Sequence, residues 1–188
     1  NRGLPGFEIV GLPDKAVDES KERVRAAILS SGIEFPPKKI TVNLAPADIP
    51  KEGSFYDLPI ALGIIRSVLP LSLPEKSLFF GELSLDGSLR HTRGAFLLAL
   101  FAKEAGFENL FVPKDSANEA AVIKGIKVYP VENLFELTNH FLGRKLITPA
   151  VFKKSEIDER LPAPAEFDMK EILGQEQAKR AMEIAASG

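Results

Sequence analysis

The chain has 188 residues, with 24 Lys and Arg against 26 Asp and Glu, giving a net charge of −2 at neutral pH. That balance excludes a global field drawing it to nucleic acid or an anionic membrane, though a local basic patch is still allowed. It has no cysteine and only two histidines, His91 and His140, which excludes disulfides, thiolate zinc sites and multi-histidine metal sites. With no apolar run near the length of a membrane span and no signal pattern, the composition fits a cytoplasmic protein with one core and a tail.

Phe7 to Leu12 is a short apolar run between glycines and Pro13, which predicts a strand. Asp14 then sits at an N-cap position, and Val17, Val24, Ala27 and Ile28 recur at helical spacing up to Ser31. Asp18, Glu19 and Glu22 precede Arg23 and Arg25, in the order the helix dipole favours, and Gly32 supplies the stop. Lys39 to Ala45 alternates and is β-branched, hence a strand. Asp57 to Leu69 predicts a helix with Asp57 as N-cap and its proline in the first turn.

Ser77 to Leu83 and Ser88 to Arg90, joined by Leu85-Asp86-Gly87, predict a β-hairpin. Helices over 94–105, 115–123 and 132–142 then alternate with strands over 109–112 and 127–131. Phe79, Phe80, Phe96 and Phe101 are expected in the core. A hairpin inside alternating strands and helices predicts an α+β or α/β sandwich over residues 1–142.

Residues 143–166 are rich in charge and proline and read as a linker. Over 167–188 an amphipathic helix carries Ile172, Gln175, Ala178, Met182 and Ala185 on one stripe, with no later residue to pack on it. The expectation is the entry helix of a second domain, and the opening at Asn1 without Met suggests trimming at the front as well.

Chemistry concentrates at element ends. Lys51, Glu52 and Gly53 fit a helix-capping turn or an anion site. Arg90, His91 and Arg93 form the densest basic cluster, with Lys38 and Lys39 a second pair; both fit DNA phosphate contacts or a solvated surface. Asp48, Glu52 and Asp57 have the oxygen chemistry of a Mg²⁺ site but no metal-motif spacing.

The strings GLPGFEIVGLPDKAVDESKERVRAAI, ITVNLAPADIPKEGSFYDLPIALGI and GELSLDGSLR closely resemble the N-terminal domain of magnesium-chelatase-like AAA+ ATPases of the competence protein ComM type. The terminal ILGQEQAKRAMEIAASG resembles the opening of their AAA+ module. The resemblance runs along nearly the whole chain and is weakest in the linker. It implies an α+β, Lon-protease-like βα sandwich, followed by the linker and the first helix of a truncated AAA+ module.

In Lon-type proteases a serine follows a Pro-Lys-Asp-Gly turn and a lysine follows a Gly-Glu hairpin. Here Pro50-Lys51-Glu52-Gly53 matches the turn, but the serine position falls on Phe55 and the lysine position on Phe96. A phenylalanine neither attacks nor takes a proton, so no catalytic residue is expected, and Ser54 reads as a turn hydroxyl.

The resemblance places Ile172, Gly174 and Gln175 near an adenine in the intact parent. ATP and Mg²⁺ belong to that parent alone, because the chain has no G-x-x-x-x-G-K-[ST] to cradle phosphates. The expected role is a non-catalytic accessory domain of a hexameric ATPase acting on DNA in branch migration, with Lys51, Arg90, His91 and Arg93 as candidate DNA contacts. The alternatives are a peptidase with a displaced dyad, a small-molecule kinase on a related fold, or a metal-chelatase subunit.

Overall fold

The computed structural model describes residues 6–11, 14–44, 54–153 and 179–182. The chain divides into two compact units, Asn1–Phe152 and Lys153–Gly188. Within the second, the described residues form one helical turn at 179–182.

The first unit opens with strand β1 (Gly6–Val10), helix α1 (Asp14–Ser30) and strand β2 (Lys39–Asn43). β1 and β2 run parallel, Phe7 beside Ile40 and Ile9 beside Val42. Helix α1 buries Ser20, Val24, Ala27 and Ile28, one stripe at helical spacing that Ser31 continues just past its end. It ends as the sequence predicts: Gly32 takes a left-handed φ of 72°, and the Ile33 amide reaches back to the Ile28 carbonyl at 3.3 Å.

Helix α2 (Asp57–Arg66) is buried nearly all round, through Leu58, Ile60, Ala61, Leu62, Ile64 and Ile65. It stops three residues short of the expected end. Asp57 is not its N-cap; Tyr56 holds that position without a side-chain cap. The Leu58 amide, an orphan donor of the first turn, instead reaches the Gly81 carbonyl at 3.1 Å, and the Gly81 amide reaches the Phe55 carbonyl at 3.1 Å.

Those two bonds also explain why strand β3 (Ser77–Phe79) is shorter than expected. Phe80 still donates to the Phe111 carbonyl, but Gly81 has left the sheet to hold the start of α2. The expected hairpin is reduced to a turn and a single antiparallel bridge, Leu83 with Leu89.

Helix α3 (Ala95–Glu104), strand β4 (Asn109–Pro113), a 3₁₀ turn (Lys114–Ser116), helix α4 (Ala117–Ala120), strand β5 (Lys127–Val131) and helix α5 (Leu134–Phe141) complete the unit. The helix expected over 115–123 is thus broken into a 3₁₀ turn and one α-helical turn. β3, β4 and β5 form a parallel sheet in that order, with Phe79 beside Phe111 and Phe111 beside Tyr129.

Both faces of this sheet are covered, so its strands are apolar on both sides. Phe79, Phe111, Tyr129 and Val131 join the larger core with α1, α2 and α5. Leu110, Val112 and Val128 face Ala95, Ala99, Ala117 and Ala120 of α3 and α4. Of the expected α+β or α/β sandwich, the described residues form a mixed α/β architecture, in which every ladder between named strands is parallel.

Helix α3 lies on the sheet through alanines, at positions 95, 99 and 102. Leu98 also packs inward, but Phe96, Leu97 and Phe101 are turned outward, at 38%, 67% and 58% exposed. The expectation of Phe96 and Phe101 in the core is corrected on that ground, while Phe79 and Phe80 are packed inside. The start of the expected linker is likewise anchored: Ile147 is buried, and the Ala150 amide donates to the Val128 carbonyl at 2.7 Å.

Candidate functional site

The polar centre of the first unit lies where α1, the first turn of α2 and the loop after β3 meet. Asp57 is fully buried there. Its carboxylate accepts from Ser20 Oγ at 2.7 Å, Arg23 Nε at 2.6 Å, Arg23 Nη2 at 3.3 Å and the Leu83 amide at 3.3 Å. Burial pushes the Asp57 carboxyl up from its ordinary value, against the opposing pull of Arg23, Ser20 and the Leu83 amide. Arg23 is held more firmly protonated, first by its hydrogen bond to Asp57, although partial burial works the other way. An ion pair so fully supplied with donors is a structural clamp, and it leaves Asp57 few lone pairs for a metal.

Above the clamp runs a second, more open chain of contacts. Ser54 Oγ donates to Glu82 Oε2. Glu82 is also paired with Arg90, Nη1 to Oε1 at 3.7 Å, and Arg90 Nε donates to Ser84 Oγ at 2.9 Å. The Arg90 amide bonds the Glu82 carbonyl at 3.1 Å, so backbone as well as side chain fixes the two arms.

Phe55 caps one side of this region. Its ring stacks on Phe80 with centroids 4.7 Å apart, and Phe80 packs in turn on the cluster beneath α3. Phe96 is in the first turn of α3, half-exposed, its amide bonded to Glu119 at 3.1 Å. The hydroxyl next to Phe55 in sequence, that of Ser54, is bonded to a carboxylate.

The basic cluster is partly committed to structure. Arg90 serves Glu82 and Ser84, and His91 Nδ1 lies 3.2 Å from Ser116 Oγ. Arg93 is exposed on the loop that enters α3. Lys51, Asp48, Glu52 and Gly53 lie outside the described residues, as do Ile172, Gly174 and Gln175. Among the described residues no group of three or more His, Asp or Glu side chains could hold a metal ion.

Sequence reasoning marked the segment Gly81 to Gly87, which carries Glu82 and Ser84, as a place for chemistry, but missed Ser20 and Arg23 as parts of this centre. The available signal was Asp57 itself, a lone carboxylate heading an otherwise apolar helix, which needs a buried partner.

The chain matches the family described as subunit ChlI of Mg-chelatase over residues 1–116. It is 38% identical over 190 residues to the competence protein ComM of Haemophilus influenzae, covering 100% of this chain and 37% of that protein. It is 41% identical over 196 residues to YifB of Escherichia coli, covering 100% of this chain and 36% of that protein. More distantly, it is 24% identical over 149 residues to Lon protease 2 of Bacillus subtilis, covering 74% of this chain and 26% of that protein. The chain therefore spans somewhat over a third of the length of the two nearer relatives.

Proposed function

The chain belongs to the family of subunit ChlI of Mg-chelatase, and on that premise we propose that it serves as a non-catalytic N-terminal accessory domain of a larger AAA+ ATPase that acts on DNA. Its task in that protein is to guide DNA, to help assemble a hexameric ring, or both. ATP and Mg²⁺ belong to the motor part of the protein, and the cytoplasm is its compartment. The fold this reading requires is a Lon-protease-like βα sandwich, supported by the likeness to Lon protease 2.

The observation that carries the reading is the chemistry around Phe55. A Lon-type mechanism needs a hydroxyl and a lysine of lowered pKa, the lysine taking the hydroxyl proton. At the corresponding positions stand Phe55, stacked on Phe80, and Phe96, half-exposed on α3. The neighbouring Ser54 donates to Glu82, whose other oxygen faces Arg90. A carboxylate neutralised by an arginine is a poor base. The site therefore keeps the outline of a reactive cleft and uses it as a joint between α2 and the 81–89 turn.

Titration with single-stranded, duplex and branched DNA at several salt concentrations tests the DNA role. Binding that weakens with salt, and weakens again in Arg93→Ala, supports it. No binding at low salt removes DNA guidance and leaves assembly. Arg90→Ala is a less clean variant, because Arg90 also holds Glu82 and Ser84.

A further inference from the structure

Among the described residues β2 is an edge strand, and its outer edge opens onto a groove. β1 and β2 form a two-stranded sheet among the described residues. The Leu44 amide points to the Val10 carbonyl, at 2.8 Å. Because backbone direction alternates along a strand, the amides and carbonyls of Thr41 and Asn43 point the other way. No described residue pairs with them.

Beside that edge lies a groove of about 630 Å³ between β2 and α2. Ile40, Val42 and Leu44, all half-buried, form one wall, and Tyr56, Ile60 and Ile64 form the other. Gly63 sits mid-groove on α2, exposed, with open space where a Cβ would be. At the entry of β2 the lining carries Lys38 and Lys39, of which Lys39 is paired with Glu8 of β1, Nζ to Oε1 at 3.3 Å, and among the described residues no carboxylate lines the groove. An apolar trough with an unpaired strand on one side and positive charge at one end has the chemistry of strand addition. The ladder supplies affinity, and the trough selects alternate side chains.

We propose that this groove takes an extended peptide of a partner protein, which adds to β2 as a further strand. The peptide alternates apolar residues toward Ile60 and Ile64 and places a carboxylate beside Lys38, the lysine at this end that Glu8 does not pair. Lysine at an edge deters indiscriminate pairing, so the same Lys38 that protects β2 selects an acidic strand over a neutral or basic one.

The test uses the full chain labelled with ¹⁵N and a short synthetic peptide of alternating valine and threonine with an aspartate pair at one end. Saturable shifts at Thr41 and Asn43, with slowed amide exchange there, are expected. Gly63→Phe fills the trough and should weaken binding about tenfold or more, equivalent to at least 1.4 kcal/mol. Gly63→Ala leaves room and should bind as the parent does, and matched melting curves of the two variants show that the fold is intact. Lys38→Glu should weaken the aspartate peptide and favour one carrying lysines. Absence of shifts at Thr41 and Asn43 at millimolar peptide overturns the proposal. So does indifference to Gly63→Phe, or equal binding of the lysine peptide.

Discussion

Arg23 of α1 closes on Asp57 of α2, Nε to Oδ2 at 2.6 Å, across 34 residues of sequence. The carboxylate side chain is 1% exposed and the arginine 18%, so the pair sits largely out of water. Removing one partner leaves the other buried and unsatisfied. Asp57→Ala is therefore expected to destabilise the chain by about 3–5 kcal/mol. Asp57→Leu combined with Arg23→Met should cost much less than the two single changes together. Urea unfolding of the four proteins checks this. Additive losses would show that the clamp is no coupled unit.

His140 should make the fold sensitive to acid. Its ring lies among Phe111, Tyr129 and Phe141, and Nδ1 accepts from the Ile147 amide at 3.0 Å, which requires that nitrogen unprotonated. Burial lowers its pKa, with Glu136 opposing. The unfolded chain therefore takes up a proton at higher pH than the fold does. The contribution is complete above the ordinary histidine value of about 6.5 and is lost as pH falls toward the lowered folded value. Melting temperatures measured between neutral and mildly acidic pH should drop, and His140→Phe should flatten that part of the profile. An unchanged profile in the variant would remove His140 as the cause.

Two glycines should respond in opposite senses to alanine. At Gly11 φ is +100°, and a Cβ would lie 2.5 Å from the carbonyl oxygen of Leu44, a residue whose amide is bonded to the Val10 carbonyl at 2.8 Å. Gly11→Ala is expected to cost more than about 1 kcal/mol, from the conformation alone before the clash is added. Gly63 is mid-helix with nothing within 4 Å of a built Cβ. Gly63→Ala should stabilise by about 0.5–1 kcal/mol. Thermal melts of the pair decide it, and a shift of the same sign in both would contradict the geometry.

Ser54 should be chemically quiet. Its hydroxyl donates to Glu82 and its carbonyl accepts from the Asp57 amide at 3.2 Å. A fluorophosphonate probe is expected to leave it unlabelled at neutral pH, and Ser54→Ala should change only the packing around Glu82. Stoichiometric labelling lost in Ser54→Ala would restore the displaced-dyad peptidase.

Much of this architecture was legible because local signals agreed. Asp14 to Ser31 carried stripe, charge order and stop glycine together, and 127–131 carried β-branched residues between turns, so both elements lie where the sequence puts them. What was hidden depends on pairs far apart in sequence. Arg23 among ordered helix charges looked like a dipole match, and nothing local names Asp57 as its partner. Gly81 leaves the sheet because of backbone bonds to Phe55 and Leu58, invisible in side-chain patterns. Helix α3 misled for another reason: a parallel sheet wanted its small residues, so the alanines went in and the aromatics out.

The two main-chain bonds between residues 55, 58 and 81 have a wider consequence. They fix the doorway to α2 without using any atom of the side chain at 55. The backbone there is a mount whose fitting can be exchanged: an aromatic ring or a reactive group would sit at the same address. A scaffold built this way can lose or regain chemistry at that address while the helix behind it stays put.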